Sequence, residues 1–141
     1  MESGSRASLT REVRTCVEAA EARGIPLAVE LKTLLMASDD LLIAVHLRGC
    51  DRMHNKRVKR IFGVKNLTFA PSHLLSSVGL AKGRINPWSV PDSTVHIVDT
   101  AVMEQPIMWT NDGTLTGTCL VRATSLLDLH AVRIATVRVD V

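Results

Sequence analysis

The chain has no tyrosine, and its two tryptophans and two phenylalanines make up 3% of 141 positions. Extended base stacking on an aromatic platform is therefore not expected. Cysteine is scarce as well: Cys16, Cys50 and Cys119 are the whole complement, far apart and without CxxC spacing. That pattern suggests neither a zinc site nor a disulfide framework, and a reducing cytoplasm is the expected compartment. No apolar run approaches the ~18 residues of a membrane-spanning helix. The N-terminus, MESGSRASLTREVR, lacks the hydrophobic core of a signal peptide. What the chain does have is apolar residues, 46% of it, with a mean hydropathy of +0.17. One domain spanning 1–141 with a substantial core follows, with residues 1–8 expected as a loose leading segment.

The formal net charge of +3 hides a segregation. From Arg48 to Arg84 the chain carries nine basic residues and one acid, Asp51, while the remainder holds eight basic and 13 acidic residues. A ligand with a phosphate backbone calls for such an arrangement. A solvated helix face with chance clustering produces it too, and charge alone leaves both readings open.

Periodicity predicts alternating elements. Leu9 to Arg23 reads as a helix with Thr10 as a cap, ended by Gly24-Ile25-Pro26. Strands follow at about 31–37 and 41–47 around Ser38-Asp39-Asp40. A helix is expected over 52–62, closed by Gly63, then a short strand at Asn66–Phe69 and a short helix from Pro71-Ser72 to Gly79. Strands near 93–98, 106–110 and 116–122 come next, the last two joined by Asn111-Asp112-Gly113, a hairpin-turn signal. Ser125 is expected to cap a last short helix, and HAVRIATVRVDV to end the chain as a strand. The fold class implied is α/β (α+β), a mixed sheet with helices on its outside.

Two features do not fit a plain core. Lys32 stands near the start of the apolar run LKTLLMA, where an ammonium is costly unless it is paired or opens onto a polar site. A strand-end lysine that snorkels to solvent is the alternative. The loop GLAKGRINPWSVPD is rigid and glycine-bearing, so its backbone N–H groups can bind an anion or carbonyl oxygen, although most such loops are only connections. No nucleophile announces itself. None of the five histidines (His46, His54, His73, His96, His130) pairs recognisably with a cysteine or serine, none has HExxH-type spacing, and no metal or cofactor is expected.

The stretches TCVEAAEARGIPLAVELKTLLMASDDLLIAVHLRG, NKRVKRIFGVKNLTFAPSHLLSSVGLAKGRINPW and STVHIVDTAVM, with the NDG hairpin, resemble the YbaK/ProX family. Its members are free-standing aminoacyl-tRNA deacylases related to the editing domain inserted in bacterial prolyl-tRNA synthetase. The most specific pieces are the T-x-x-E-A-A helix (Thr15, Glu18, Ala19, Ala20), the K-T-L-L strand (Lys32 to Leu35) and the G-x-x-x-P loop (Gly83, Pro87).

The resemblance implies a mixed, partly barrel-like sheet flanked by short helices. It also implies a trans-acting hydrolase of mischarged tRNA, of the kind associated with prolyl-tRNA, with backbone oxyanion stabilisation and attack by water or by the substrate's own side chain. Lys32 would face the pocket for the 3′-terminal adenosine and hold phosphate or the ester end. Gly83 would offer a backbone N–H near the ester carbonyl. Thr33, Asn86, Pro87, Trp88 and Thr118 become candidates for substrate contact. Arg52, Lys56, Arg57, Arg60, Lys82 and Arg84 become candidates for the acceptor-stem phosphates, with a synthetase as a possible further partner and no membrane. Alanine-editing members place a histidine shortly after the hairpin glycine, where this chain has Thr114, Leu115 and Thr116. Cysteine-editing members have an aspartate where Thr118 and Cys119 stand. The amino acid removed is thus left open. A non-catalytic module binding aminoacyl-tRNA or a synthetase is the alternative, and aminoacyl transfer a third reading close to the first.

Overall fold

The apolar runs flanking Ser38-Asp39-Asp40 pair as an antiparallel hairpin, β2 (Leu31–Ser38) with β3 (Leu41–Arg48), in a register that sets Lys32 opposite Leu47 and Thr33 opposite His46. The turn needs a left-handed residue, which Asp39 supplies at φ 50. The computed structural model describes residues 15–81, 84–114 and 116–139 in full and residues 6–8 as backbone. In chain order the elements are β1 (Arg6–Ser8), α1 (Cys16–Arg23), a 3-10 turn (Leu27–Val29), β2, β3, α2 (Asn55–Phe62), β4 (Thr68–Phe69) and α3 (Ser72–Ser77). Then come β5 (Val95–Asp99), α4 (Thr100–Met103), β6 (Ile107–Thr110), β7 (Gly117–Arg122), a 3-10 helix (Ala123–Asp128) and β8 (Arg133–Ala135).

Two sheets result. One has five strands in the order β4-β2-β3-β5-β8 and the other three in the order β1-β7-β6. The larger sheet is mixed: β4-β2 and β2-β3 are antiparallel, β3-β5 and β5-β8 parallel. Among the described residues a single bridge, Glu30 to Trp109, joins the sheets. Strand alternation sends Lys32, Leu34 and Met36 to one face and Leu31, Thr33 and Leu35 to the other. Under the first face, Met36, Val45, Leu47, Ile97 and Val137 pack with Val58 of α2. On the second, Leu31 and Val98 meet Met108, Cys119 and Val121 of the smaller sheet and Val102 of α4. Leu35 and Ala44 meet Leu75 of α3 and Val90 on the same side.

Several elements differ from expectation for local reasons. Thr15, not Thr10, caps α1, its hydroxyl accepting from Glu18 N at 3.1 Å; residues 9–14 lie outside those described. His54 caps α2 through Nδ1, so the helix starts three residues later than periodicity suggests. Both helices end where a glycine takes positive φ, Gly24 at 69 and Gly63 at 66. Ser125 lies inside the 3-10 helix rather than at its cap, its hydroxyl donating to the Arg122 carbonyl. The C-terminal strand is only Arg133–Ala135, after which the chain turns aside to bridge Met53 through Arg138. Arg6–Ser8, expected to be loose, pairs with β7. No described helix is long and apolar enough to cross a membrane.

Candidate functional site

Along its outer edge β2 is covered at both ends and open between. β4 pairs only with Met36 and Ala37, the Leu35 carbonyl accepts from Ala70 N at 2.9 Å, and the Glu30–Trp109 bridge closes the other end. Alternation then turns the main-chain N–H and carbonyl of Thr33, two residues before Leu35, toward the same open edge. A cavity of about 530 Å3 occupies that gap. α1 supplies one wall (Cys16, Ala19, Arg23), β2 the floor from Leu31 to Leu35, and Phe69 to Ser72 with Leu75 the opposite wall; Ile85, Thr110 and Asn111 complete it.

Lys32 and Thr33 both line this cavity. Lys32 is half-buried, and its ammonium donates to the main-chain carbonyl of Asp51, whose carboxylate is held by Arg48 at 2.6 Å. An ammonium has three donors, so this contact aims the side chain without exhausting it. The Thr33 side chain turns inward, its Oγ1 2.9 Å from His46 Nδ1, and His46 Nε2 is 2.9 Å from His96 Nδ1. Desolvation, with the neighbouring imidazole adding to it, lowers His46 well below the usual histidine value. Burial, helped by His130, takes His96 down to about 4. Both rings are neutral at neutral pH.

The cavity wall also holds a buried ion pair that the sequence did not suggest. Arg23, whose side chain is 4% exposed, donates from Nη1 to Glu30 Oε1, the latter side chain 2% exposed. Its Nε donates to Thr118 Oγ1 and its Nη2 to the Thr110 carbonyl, each at 3.1 Å. Burial raises the Glu30 pKa, and the hydrogen bond and charge of Arg23 oppose that. Cys16 also faces the cavity; burial, then the charge of Glu30, pushes its thiol above the ordinary value. A thiol kept protonated in this way is a poor nucleophile.

The other expected contacts are distributed differently. Thr118 sits behind Arg23 and touches it rather than the cavity. Asn86 is a clasp: its Nδ2 donates to the Asn111 carbonyl at 3.2 Å, Asn111 returns a bond to the Ile85 carbonyl, and Asn86 Oδ1 accepts from Trp88 N. It thereby fixes Ile85 and Asn111 at the cavity border. Pro87 and Trp88 line a separate cavity of about 390 Å3 with His96, Asp128 and His130. Lys82 and Gly83 lie outside the described residues. Arg52, Lys56 and Arg60 are exposed, while Arg57 is half-buried and donates to the Arg138 carbonyl. None of these, nor Arg84, lines the larger cavity, although Arg52 directly follows the Asp51 that holds Lys32.

Sequence reasoning missed Arg23, Glu30, Thr110 and Phe69 as part of this site. A faint signal existed for two: Arg23 and Glu30 are opposite charges seven residues apart, flanking the Gly24-Ile25-Pro26 break.

Comparison with known proteins places these features in a family. Residues 10–129 match the aminoacyl-tRNA editing domain. The chain is 29% identical over 96 residues to a proline–tRNA ligase of Nitrosomonas eutropha, a match covering 67% of this chain and 16% of that ligase. Among solved structures, the hypothetical protein APE2540 superposes with a TM-score of 0.87 at 20% identity, over 97% of this chain and 92% of its own. A protein described as a candidate trans-editing enzyme for prolyl tRNA synthetase superposes at 0.85 and 21% identity, over 96% and 86%. At such identities the two structures speak for the shared fold, while the sequence match spans most of the chain. This chain belongs to the aminoacyl-tRNA editing domain family.

Proposed function

We propose that the domain is a trans-acting aminoacyl-tRNA deacylase that hydrolyses the ester of a mischarged tRNA, in the manner associated with prolyl-tRNA editing. The observation that carries this reading is a cavity of about 530 Å3 with Lys32 in its wall and the open main-chain edge of Thr33 on its floor, in a chain of the editing family. The 3′ end of the tRNA enters the cavity, and Lys32 holds its phosphate or the ester end. Water adds to the ester carbonyl carbon, and the charge that develops on the carbonyl oxygen is met by main-chain N–H donors. Thr33 N–H is one such donor; Gly83 keeps the role that the family resemblance gives it. The tetrahedral adduct collapses with loss of the ribose hydroxyl, releasing the amino acid and an intact tRNA. Orientation and oxyanion stabilisation suffice for an activated ester, so no protein nucleophile is needed. Exposed Arg52, Lys56 and Arg60, with Lys82 and Arg84, take acceptor-stem phosphates, and a synthetase partner supplies tRNA choice.

A panel of mischarged tRNAs tests this. Hydrolysis of at least one, lost in Lys32→Ala with the fold intact, is the expected result. Saturable binding with no turnover on any member supports a non-catalytic binding module instead.

A further inference from the structure

Five consecutive residues of β2, Leu31 to Leu35, line the larger cavity, although alternation sends their side chains to opposite faces of the sheet. A cavity touched by both sets abuts the edge of the strand and meets its main chain. The register says which groups stand there. Ser38 and Leu41 close a two-residue turn, so Ser38, Met36, Leu34 and Lys32 direct their N–H and carbonyl groups at β3. Ala37, Leu35, Thr33 and Leu31 direct theirs outward, and the bond from Ala70 N to the Leu35 carbonyl agrees. Among the described residues, no group bonds the Thr33 N–H or carbonyl. One residue thus holds out a donor and an acceptor side by side.

We infer that the aminoacyl group docks on this edge as a strand one residue long, its α-amino group donating to the Thr33 carbonyl and its own carbonyl accepting from the Thr33 N–H. The inference rests on the deacylase reading and deepens it: the cavity takes aminoacyl esters with a free α-amine and refuses those whose amine is acylated. An aminoacyl ester carries its nitrogen and carbonyl in the order of a peptide residue, so it can make the two bonds of an antiparallel pair. The open stretch from Leu31 to Leu35 is about 13 Å long at the usual strand rise, which suits one residue and its sugar better than a strand of another protein.

β4 sets the direction. It runs antiparallel to β2, with Ala70 at the Leu35 rung, and leaves the sheet as Pro71 leads into α3. The ligand takes the next vacant rung in the same direction. Its amine then points toward Pro71, and its ester end toward Leu31 and Lys32, all of which line the cavity. An acyl group on the amine would extend the ligand into the place of Pro71. A prolyl group qualifies, because its free ring nitrogen still carries hydrogen. The ligand's side chain stands off the strand's edge, so these bonds read the amine and carbonyl whatever the amino acid.

The test uses wild-type protein and stable amides of 3′-amino-3′-deoxyadenosine carrying alanyl, propionyl (alanyl without its amine) or N-acetylalanyl. Propionyl loses the charge-assisted bond and N-acetylalanyl meets Pro71, so alanyl should bind on the order of tenfold tighter than either. Hydrogen exchange reads the main chain directly: the Thr33 amide should exchange at least about tenfold more slowly with the alanyl compound bound. Propionyl or N-acetylalanyl binding as tightly as alanyl, no binding of any, or a Thr33 amide left unprotected in the complex overturns the inference. Turnover of mischarged tRNAs judges the deacylase reading separately. Esters hydrolysed equally well with the amine free or acetylated, each relative to its spontaneous rate, sink this inference and leave that reading standing. Alanyl preference and Thr33 protection with no turnover on any tRNA keep the docking mode and remove the deacylase.

Discussion

His46 and His96 stack with centroids 5.1 Å apart and nearly parallel planes, sharing one hydrogen bond between Nε2 and Nδ1. They belong to neighbouring parallel strands, β3 and β5, and lie on one face of the sheet, with Thr33 on the cavity floor at the far end of the hydrogen-bonded row. Each ring is held neutral by its burial, and protonation of either would place a cation against the other.

Stability should therefore fall in mild acid. His96 binds a proton near pH 6.5 when unfolded but only at about 4 when folded, and His46 lower than its ordinary value. The unfolded chain then holds more protons between pH 6.5 and about 4, so stability is full above that window and drains as pH falls through it. A loss on the order of 1–3 kcal/mol is expected across it. Urea midpoints at pH 7.0 and 4.5 measure this, and the difference should shrink in His96→Gln. An equal drop in the variant would assign the acid loss to other groups.

Asp99 anchors the C-terminal segment. It is fully buried and accepts from Ala101 N at 3.0 Å, Val137 N at 2.8 Å, Arg138 N at 3.1 Å and Arg138 Nη1 at 2.8 Å. Asp99→Ala leaves several donors unmet at once, and a destabilisation of about 3 kcal/mol is expected by chemical denaturation. A cost under about 1 kcal/mol would mean that water replaces the carboxylate.

Phe69 stands on the cavity rim at 64% exposed, on a two-residue edge strand. Its burial contributes little to the core, yet it is a flat face beside the proposed nucleotide site. Phe69→Ala should weaken binding of a tRNA 3′ end by about 1–3 kcal/mol, the range for one base on an aromatic ring, while the melting temperature hardly moves. Unchanged affinity with unchanged stability would remove the ring from the site.

The basic helix divides into exposed and engaged cations. Lys56 and Arg60 are exposed, whereas Arg57 secures the Arg138 carbonyl. Lys56→Glu with Arg60→Glu should lower the slope of log affinity against log salt by about 1 for each phosphate no longer neutralised, without loss of stability. Arg57→Glu should also lower the denaturation midpoint. A salt slope unmoved by the double change would take α2 out of the tRNA interface.

Lys32→Ala is the sharpest test of the site itself. Its ammonium spans from the cavity to the Asp51 carbonyl, and no other lysine or arginine on β2 can replace it. A fall in kcat/KM of at least about 10²-fold is expected with near wild-type stability. Lys32→Arg should recover binding better than turnover, because the guanidinium keeps the charge but not the compact point geometry.

Short-range signals carried much of the fold. The β2–β3 hairpin, the glycine-ended helices and the β6–β7 pair were legible because alternation, caps and turn residues act within a few positions. α4 was not: Thr100–Met103 is apolar and brief, and only its Asp99 cap, itself recruited by Arg138, marks it as helix. Lys32 was legible as an oddity, since a cation in an apolar run needs a reason wherever it lies.

From the order of residues alone came the two hairpins, the segregated charge and a lysine in want of a polar neighbour. The tertiary structure alone decided what faces what. It gathered Arg23, Glu30, Thr110 and Thr118 around one guanidinium across separations of up to 95 residues, and it sent Pro87 and Trp88 to a different cavity. Local propensity depends on neighbours in the chain. A cavity wall depends on which ends of which strands are left uncovered, and that is settled only when the sheets close on one another.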